Sequence, residues 1–228
     1  MLSLSPRLQA VLDFCRSLHT PGCGVLADIG TDHAYLPIAA LQHGICNRAI
    51  ACDLHPGPLS IANGNIRDAG LTGKIETRLG DGLAPLLPGE SDCIVIAGMG
   101  GMRIKGIILD GAEQARTARR LILQPQHDTV LLRKFLHYAG FEIEDERLVR
   151  EDVSGKEHFY IVLAARYTQK ITTWTEREYF LGKFLIEEAG DNFSAYLACE
   201  RKKITAYISS IQDKTVLSDA KKRMEWLS

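Results

Sequence analysis

Asp28-Ile29-Gly30-Thr31-Asp32-His33-Ala34 follows a short apolar run at 24–29 and precedes a segment of helical period, so it is a strand-to-helix turn. A doubly wound α/β sheet binds its ligand at such a turn. The dinucleotide fingerprint G-x-G-x-x-G lets the backbone approach a pyrophosphate. Here only Gly30 remains, and Asp32 stands where a second glycine would lie. A carboxylate at that place repels a diphosphate and favours a ligand bearing positive charge, such as a sulfonium and an ammonium. Taken alone, the turn has a plainer reading, with Asp28 or Thr31 capping the helix that follows.

Outward from this turn, strands expected at 24–29, 48–53, 74–79, 92–97, 120–124, 141–149 and 158–165 alternate with helices at 35–43, 58–69, 102–112 and 129–139. The last two strands leave no room for a helix between them and are expected to form an antiparallel hairpin at the sheet edge. Seven strands with that ending describe an α/β, Rossmann-like class I methyltransferase sheet rather than a dehydrogenase, by fold-level analogy. Residues 1–18 place Arg7, Asp13 and Arg16 at helical intervals among Leu and Val, the pattern of an amphipathic helix and not of a signal peptide. After Tyr167, Trp174, Phe180, Phe184, Phe193, Leu197, Ile204, Ile208 and Ile211 recur with helical spacing, and Gly190-Asp191 offers a break. The expected form is a small antiparallel, coiled-coil-like helical appendage, with domains at 1–167 and 168–228.

The ends of the other strands carry further polar candidates. Asp53, with Leu54 beside it, ends the second strand where a carboxylate can accept from both hydroxyls of an adenosine ribose, which suits S-adenosylmethionine (SAM) and NAD equally. Gly80-Asp81-Gly82 sets a carboxylate where it can accept from an adenine amino group, although Asp-Gly is also a common turn. Ala97-Gly98-Met99-Gly100-Gly101 removes side-chain bulk at the end of the fourth strand, which permits close backbone approach or makes a plain glycine-rich turn. Gln124-Pro125-Gln126 adds an amide suited either to a base edge or to fixing a loop. Asp32, His33, Asp53 and His55 lack a recognised ligand spacing, so no metal is expected. No G-x-S-x-G elbow or activated cysteine supports covalent hydrolysis.

At 228 residues the chain has room for one α/β domain and a small appendage. Hydrophobic residues at 46% and charged residues at 24% match a globular protein, and no apolar run approaches the roughly 20 residues of a membrane span, so no membrane partner is expected. A formal net charge of -1 gives no global attraction for nucleic acid, which leaves RNA binding to a local patch. Cys15, Cys23, Cys46, Cys52, Cys93 and Cys199 form no C-x-x-C pair and suit reduced, mostly buried thiols in the cytoplasm. Nothing in the sequence marks an oligomeric state.

On these residues the chain closely resembles the bacterial tRNA (adenine(22)-N(1))-methyltransferase family, often called TrmK. The resemblance rests on Asp28-Ile29-Gly30-Thr31-Asp32-His33-Ala34-Tyr35-Leu36-Pro37, Gly80-Asp81-Gly82-Leu83, Ala97-Gly98-Met99-Gly100-Gly101 and Leu123-Gln124-Pro125, in that order. It covers the Rossmann-like part and extends in architecture to the appendage. It implies SAM as methyl donor, tRNA as substrate, and N1 of an adenine in the D-arm region, position 22, as acceptor. It also carries Asp28, Gly30, Asp53 and Asp81 over as cofactor positions. Thr31, Leu54, Gly82 and Gly98 in the same turns join them.

Asp32, Met99 and Gly100 are the catalytic candidates, with Asp32 placed to stabilise positive charge developing on the base. His33, Tyr35 and Gln124 are candidates for the base, Tyr35 and Met99 having plain core packing as the alternative. Arg201-Lys202-Lys203 is the candidate phosphate contact, with Lys221-Lys222-Arg223 as a second basic cluster. The plainer reading is a solvated face, because Glu187, Glu188, Asp213 and Asp219 nearly balance the charge. Two other function classes share part of these features: a SAM-dependent enzyme acting on a small molecule or protein, and a catalytically silent RNA-binding module.

Overall fold

The computed structural model describes residues 4–16, 24–209 and 213–227. Cys23, Ile211 and both ends of the expected N-terminal helix lie outside these residues. The chain divides into two compact units, Met1–Thr172 and Thr173–Ser228. The first therefore runs past the expected boundary at 167. Beyond the last strand, the N–H groups of Thr168 and Gln169 donate to the Gly140 carbonyl and hold the segment to the sheet.

In the first unit the elements run α1 (Pro6–Arg16), β1 (Val25–Ile29), α2 (Tyr35–Gln42), β2 (Arg48–Asp53), α3 (Pro56–Asp68), β3 (Ile75–Leu79) and β4 (Cys93–Met99). They continue as α4 (Gly101–Asp110), α5 (Ala112–Thr117), β5 (Arg120–Pro125), α6 (Thr129–Tyr138), β6 (Phe141–Val153) and β7 (Lys156–Tyr167). The seven strands form one sheet in the order β3-β2-β1-β4-β5-β7-β6. β1 to β5 are parallel, while β7 runs antiparallel to both β5 and β6. Leu26, Ala27, Ile94, Val95, Ile96, Ile122 and Leu123 are buried, so the central strands read as continuous apolar runs, as a parallel sheet covered on both faces requires. α1 packs on β5, β6, β7 and α2 through buried Val11, Leu12, Phe14 and Cys15. Burying Leu12 and Phe14 contributes about 2–3 kcal/mol each.

The edge hairpin is longer than expected. Its two-residue turn, Ser154-Gly155, has φ of 56° and 77°, the left-handed pair of a type I′ turn that matches strand twist. The turn lets β6 continue through the charged residues after Val149, where Arg150 pairs with Glu157 across the strands. The expected helix at 102–112 instead stops at Asp110 and resumes as α5. Gly111 separates the two pieces, and a Cβ there would lie 2.4 Å from Leu83.

The second unit holds four helices among the described residues rather than one antiparallel pair: α7 (Glu176–Leu181), α8 (Lys183–Glu188), α9 (Asp191–Ile208) and α10 (Lys214–Glu225). Gly182, at φ 96°, separates α7 from α8, and the break at Gly190 falls between α8 and α9. The long partners are α9 and α10, joined near the Arg201 guanidinium, which donates to the Leu227 carbonyl. α10 has only Ala220 buried within it, which is why its periodicity was faint. Thr175 and Glu178 form a capping box on α7, and the Asp213 carboxylate accepts from the Thr215 and Val216 N–H groups at the start of α10.

Candidate active site at the carboxyl ends of the parallel strands

The sheet order reverses between β1 and β4, so the loops leaving those strands diverge and open a crevice. The loop after β1 is tightly determined. The Gly30 and Thr31 N–H groups both donate to the Cys52 carbonyl at 2.9 Å, and Gly30 has φ 73°, where a Cβ would lie 2.3 Å from Met99 Cε. Asp32 and Ala34 are also left-handed, at φ 53° and 57°. For Ala34 this costs about 1 kcal/mol, a strain of the kind stored at functional sites.

Asp53 holds the neighbouring loop. Its carboxylate accepts from the Asp32 N–H at 3.3 Å and from the His55 N–H at 3.0 Å. The Asp32 carboxylate meets His33 Nε2 at 3.3 Å, and the His33 ring stacks on Tyr35 with centroids 5.2 Å apart and planes 18° apart. Asp28 is buried, and its Oδ2 accepts from the Thr31 hydroxyl at 2.8 Å. Burial pushes the Asp28 carboxyl up to about 6, against the pull of the Thr31 hydrogen bond and with a smaller push from Asp53.

Across the crevice, the register of β4 against β5 shifts between Ala97 and Met99. Gly98, at φ 78°, turns its N–H out of the ladder and donates to Gln124 Oε1 at 3.1 Å. Met99, Gly100 and Gly101 are held by the following loop: the Gln126 N–H donates to the Met99 carbonyl at 2.8 Å, and the Gly101 N–H donates to the His127 carbonyl at 2.9 Å. A Cβ at Gly100 would meet the His127 ring at 2.5 Å.

A cleft of about 290 Å³ lies between these loops. Of the expected cofactor positions it is lined by Asp28, Gly30, Thr31 and Gly98, and of the expected catalytic and substrate positions by Asp32, His33 and Tyr35. Asp53 adjoins it through the Asp32 N–H. Leu54 is exposed beside Asp53. Asp81 and Gly82 follow the neighbouring strand β3, and Asp81 is paired there with Arg103. Met99 and Gly100 flank the cleft without lining it.

Gln124 does not reach the cleft surface. It is fully buried, with Oε1 shared between the Arg7 guanidinium and the Gly98 N–H and Nε2 donating to the Pro125 carbonyl. Gln126 lines the cleft in its place, together with Arg7 and Leu8 from α1. Arg7 and Gln126 are not among the site residues expected from the sequence, although the Gln-Pro-Gln stretch and the arginines of the N-terminal helix were visible. Arg103 and His127 stand outside the lining, beside Asp81 and Gly100. Arg201, Lys202 and Lys203 belong to the second unit. All three are exposed, with Arg201 bonded to the Leu227 carbonyl and Lys203 2.7 Å from Glu200. Among the described residues, no group of three or more His, Cys, Asp or Glu side chains is arranged to hold a metal ion.

A seven-stranded sheet with this order, ended by Asp28, Asp53 and Asp81 on one side of the switch point and by a glycine tract on the other, defines a Rossmann-like SAM-dependent methyltransferase. The model of one family, described as tRNA (adenine(22)-N(1))-methyltransferase, matches residues 26–227, and the chain belongs to that family. A Bacillus subtilis tRNA (adenine(22)-N(1))-methyltransferase is 39% identical over 164 residues, a stretch spanning 72% of this chain and 66% of the relative. The crystal structure of the B. subtilis tRNA methyltransferase TrmK superposes with a TM-score of 0.84 at 31% identity, covering 100% of this chain and 98% of that one. M. capricolum TrmK in complex with S-adenosyl-homocysteine gives 0.80 at 27% identity, covering 100% and 96%.

The residues present fit the cofactor. Asp28 sets a buried carboxylate on the cleft wall, which suits a cation, and the missing Cβ at Gly30 lets Met99 Cε pack against the turn. The Asp28 shift has a signed consequence. Its folded-state pKa lies above that of the unfolded chain, so the ligand-free protein loses up to about 3 kcal/mol as pH rises from about 4 to 6, and no more above that. Asp28→Asn is therefore expected to stabilise the ligand-free chain at pH 7, by a margin that narrows by about half at pH 5. The same variant should weaken SAM binding. Melting curves at the two pH values check this, and an equal margin at both would contradict the assignment.

Proposed function

We infer that the chain transfers the methyl group of SAM to N1 of adenine 22 in the D-arm of tRNA. The observation that carries this reading is the exposed Asp32 carboxylate at a cleft shared with buried Asp28, beside a glycine tract and a stacked His33–Tyr35 face. Bound SAM supplies an electrophilic methyl group on a cationic sulfur. Adenine N1 offers a lone pair and no proton, so no side chain has to act as base, and positioning at about 3 Å from the methyl carbon dominates the rate.

Asp32 is the catalytic residue in this reading, accepting from the exocyclic amine and stabilising the positive charge that the base acquires. Tyr35 and His33 offer a stacking surface for a base displaced from its helix, and Gln126 offers an amide to its edge. Asp53 receives the ribose hydroxyls and Asp81 the adenine amine of SAM, the latter sharing its carboxylate with Arg103. The appendage supplies the phosphate contacts. The five cysteines described are free thiols, which suits the cytoplasm, and no helix among the described residues is long and apolar enough to cross a membrane.

Incubation with methyl-labelled SAM, total tRNA, and extracts of protein and small molecules separates this reading from its alternatives. Label is expected in tRNA alone, and label in another fraction overturns the substrate. At the cofactor, Asp53→Ala should weaken SAM binding by about 1–3 kcal/mol, because buried ribose hydroxyls lose their acceptor. Calorimetry showing unchanged affinity would remove Asp53 from the site.

A further inference from the structure

Arg7 brings a positive charge to the cleft from α1, which lies before the stretch matched by the family model. Its Nη1 donates to Gln124 Oε1 at 2.8 Å, and its guanidinium carbon lies 5.6 Å from the centre of the Tyr160 ring. Gln124 is itself immobilised, fully buried and bonded to the Gly98 N–H and the Pro125 carbonyl. The guanidinium is thus held in place from two directions. Of its five N–H groups only one is spent on Gln124, and the remainder of the fork stays on the cleft wall. Gly98 lies directly beside it, since a Cβ there would stand in ordinary contact with Arg7 Nη1 at 3.4 Å.

The same cleft contains the buried Asp28 carboxylate. A guanidinium and a carboxylate on the walls of one enclosure are complementary to an α-amino acid zwitterion. Its ammonium faces the carboxylate, and its carboxylate faces the guanidinium fork, a planar pair that favours bidentate hydrogen bonds. We propose that Arg7 receives the carboxylate of the methionyl tail of SAM, so that the N-terminal helix closes the amino-acid end of the cofactor site. This rests on the SAM reading above. The competing anion, an RNA phosphate, fits less well, because Arg7 is half-buried and its anchor is fully buried.

The test uses calorimetry on the full chain with two ligands, SAM and its decarboxylated analogue, in which a propylamine replaces the amino-acid tail. Arg7→Gln is expected to weaken SAM binding about 10- to 100-fold while changing affinity for the analogue by less than about twofold. Arg7→Lys, which keeps the charge without the fork, should recover part of the affinity for SAM and change nothing for the analogue. Melting curves report whether each variant is folded, and Arg7→Lys keeps the comparison available if Arg7→Gln is not. Equal losses for both ligands would overturn the proposal, leaving Arg7 as a brace for Gln124 and Gly98. Unchanged SAM affinity with weakened tRNA binding would overturn it in favour of a phosphate contact. Wild-type chain that binds neither ligand would overturn the cofactor reading itself, an outcome distinct from both.

Discussion

A chain ended after Thr172 is expected to bind SAM with unchanged affinity and to methylate tRNA at less than about 1% of the full-length rate at sub-saturating RNA, since losing several phosphate contacts lowers affinity by about 10²–10³. Every proposed cofactor residue lies in Met1–Thr172, a compact unit with its own buried core. That unit places Asp28 and Asp32 at the cleft, and the proposed phosphate contacts lie in the appendage. The first basic cluster supplies less of this surface than its charge suggests. Arg201 is bonded to the Leu227 carbonyl and Lys203 to Glu200, so Lys202 is the member most open to a phosphate. In the second cluster, Lys222 lies 5.8 Å from the Trp226 ring centre and Arg223 lies 5.5 Å from that of Phe180. These stacked cations remain able to turn an edge toward RNA. Full methylation by the shortened chain would show that the first unit alone recognises tRNA.

Replacing the Asp32 carboxylate is expected to lower kcat about 10²-fold while tRNA and SAM affinities change by less than about threefold, because its proposed partner becomes cationic only during transfer. Asp32 has φ 53°, where aspartate and asparagine are tolerated better than alanine. Asp32→Asn is therefore the cleaner variant, keeping shape and one acceptor while removing charge, and Asp32→Ala should lose at least as much. Single-turnover rates at saturating tRNA separate chemistry from binding. Equal losses in affinity and turnover would make Asp32 a binding residue, and an unchanged rate would remove it from the mechanism.

The central parallel strands β1, β2, β4 and β5 were legible because each holds a short apolar run closed by Gly, Asp, Pro or a charged residue, and the missing second glycine after Gly30 already argued against a dinucleotide. The hairpin tip was not legible, because beyond Val149 its stability comes from a two-residue turn and a cross-strand ion pair rather than from burial. α10 was not legible either, since it buries almost nothing of its own. At the site, Asp28, Gly30, Asp32 and Gly98 could be placed because each sits at a strand end in one local motif. Arg7 could not, because its partner Gln124 lies 117 residues away and only the folded sheet brings the two together. Gln124 and Gln126 flank Pro125, where β5 ends, and past that point the alternation of a strand no longer tells which amide faces the cleft.

Primer extension on an unmodified tRNA transcript incubated with the full chain and SAM tests the central claim most directly, since a methyl group on N1 blocks the pairing edge of adenine. The expected result is a SAM-dependent stop one nucleotide before position 22, absent from a transcript with guanine at that position. Readthrough at position 22 with methyl incorporated at another base, or no incorporation into tRNA at all, would contradict it.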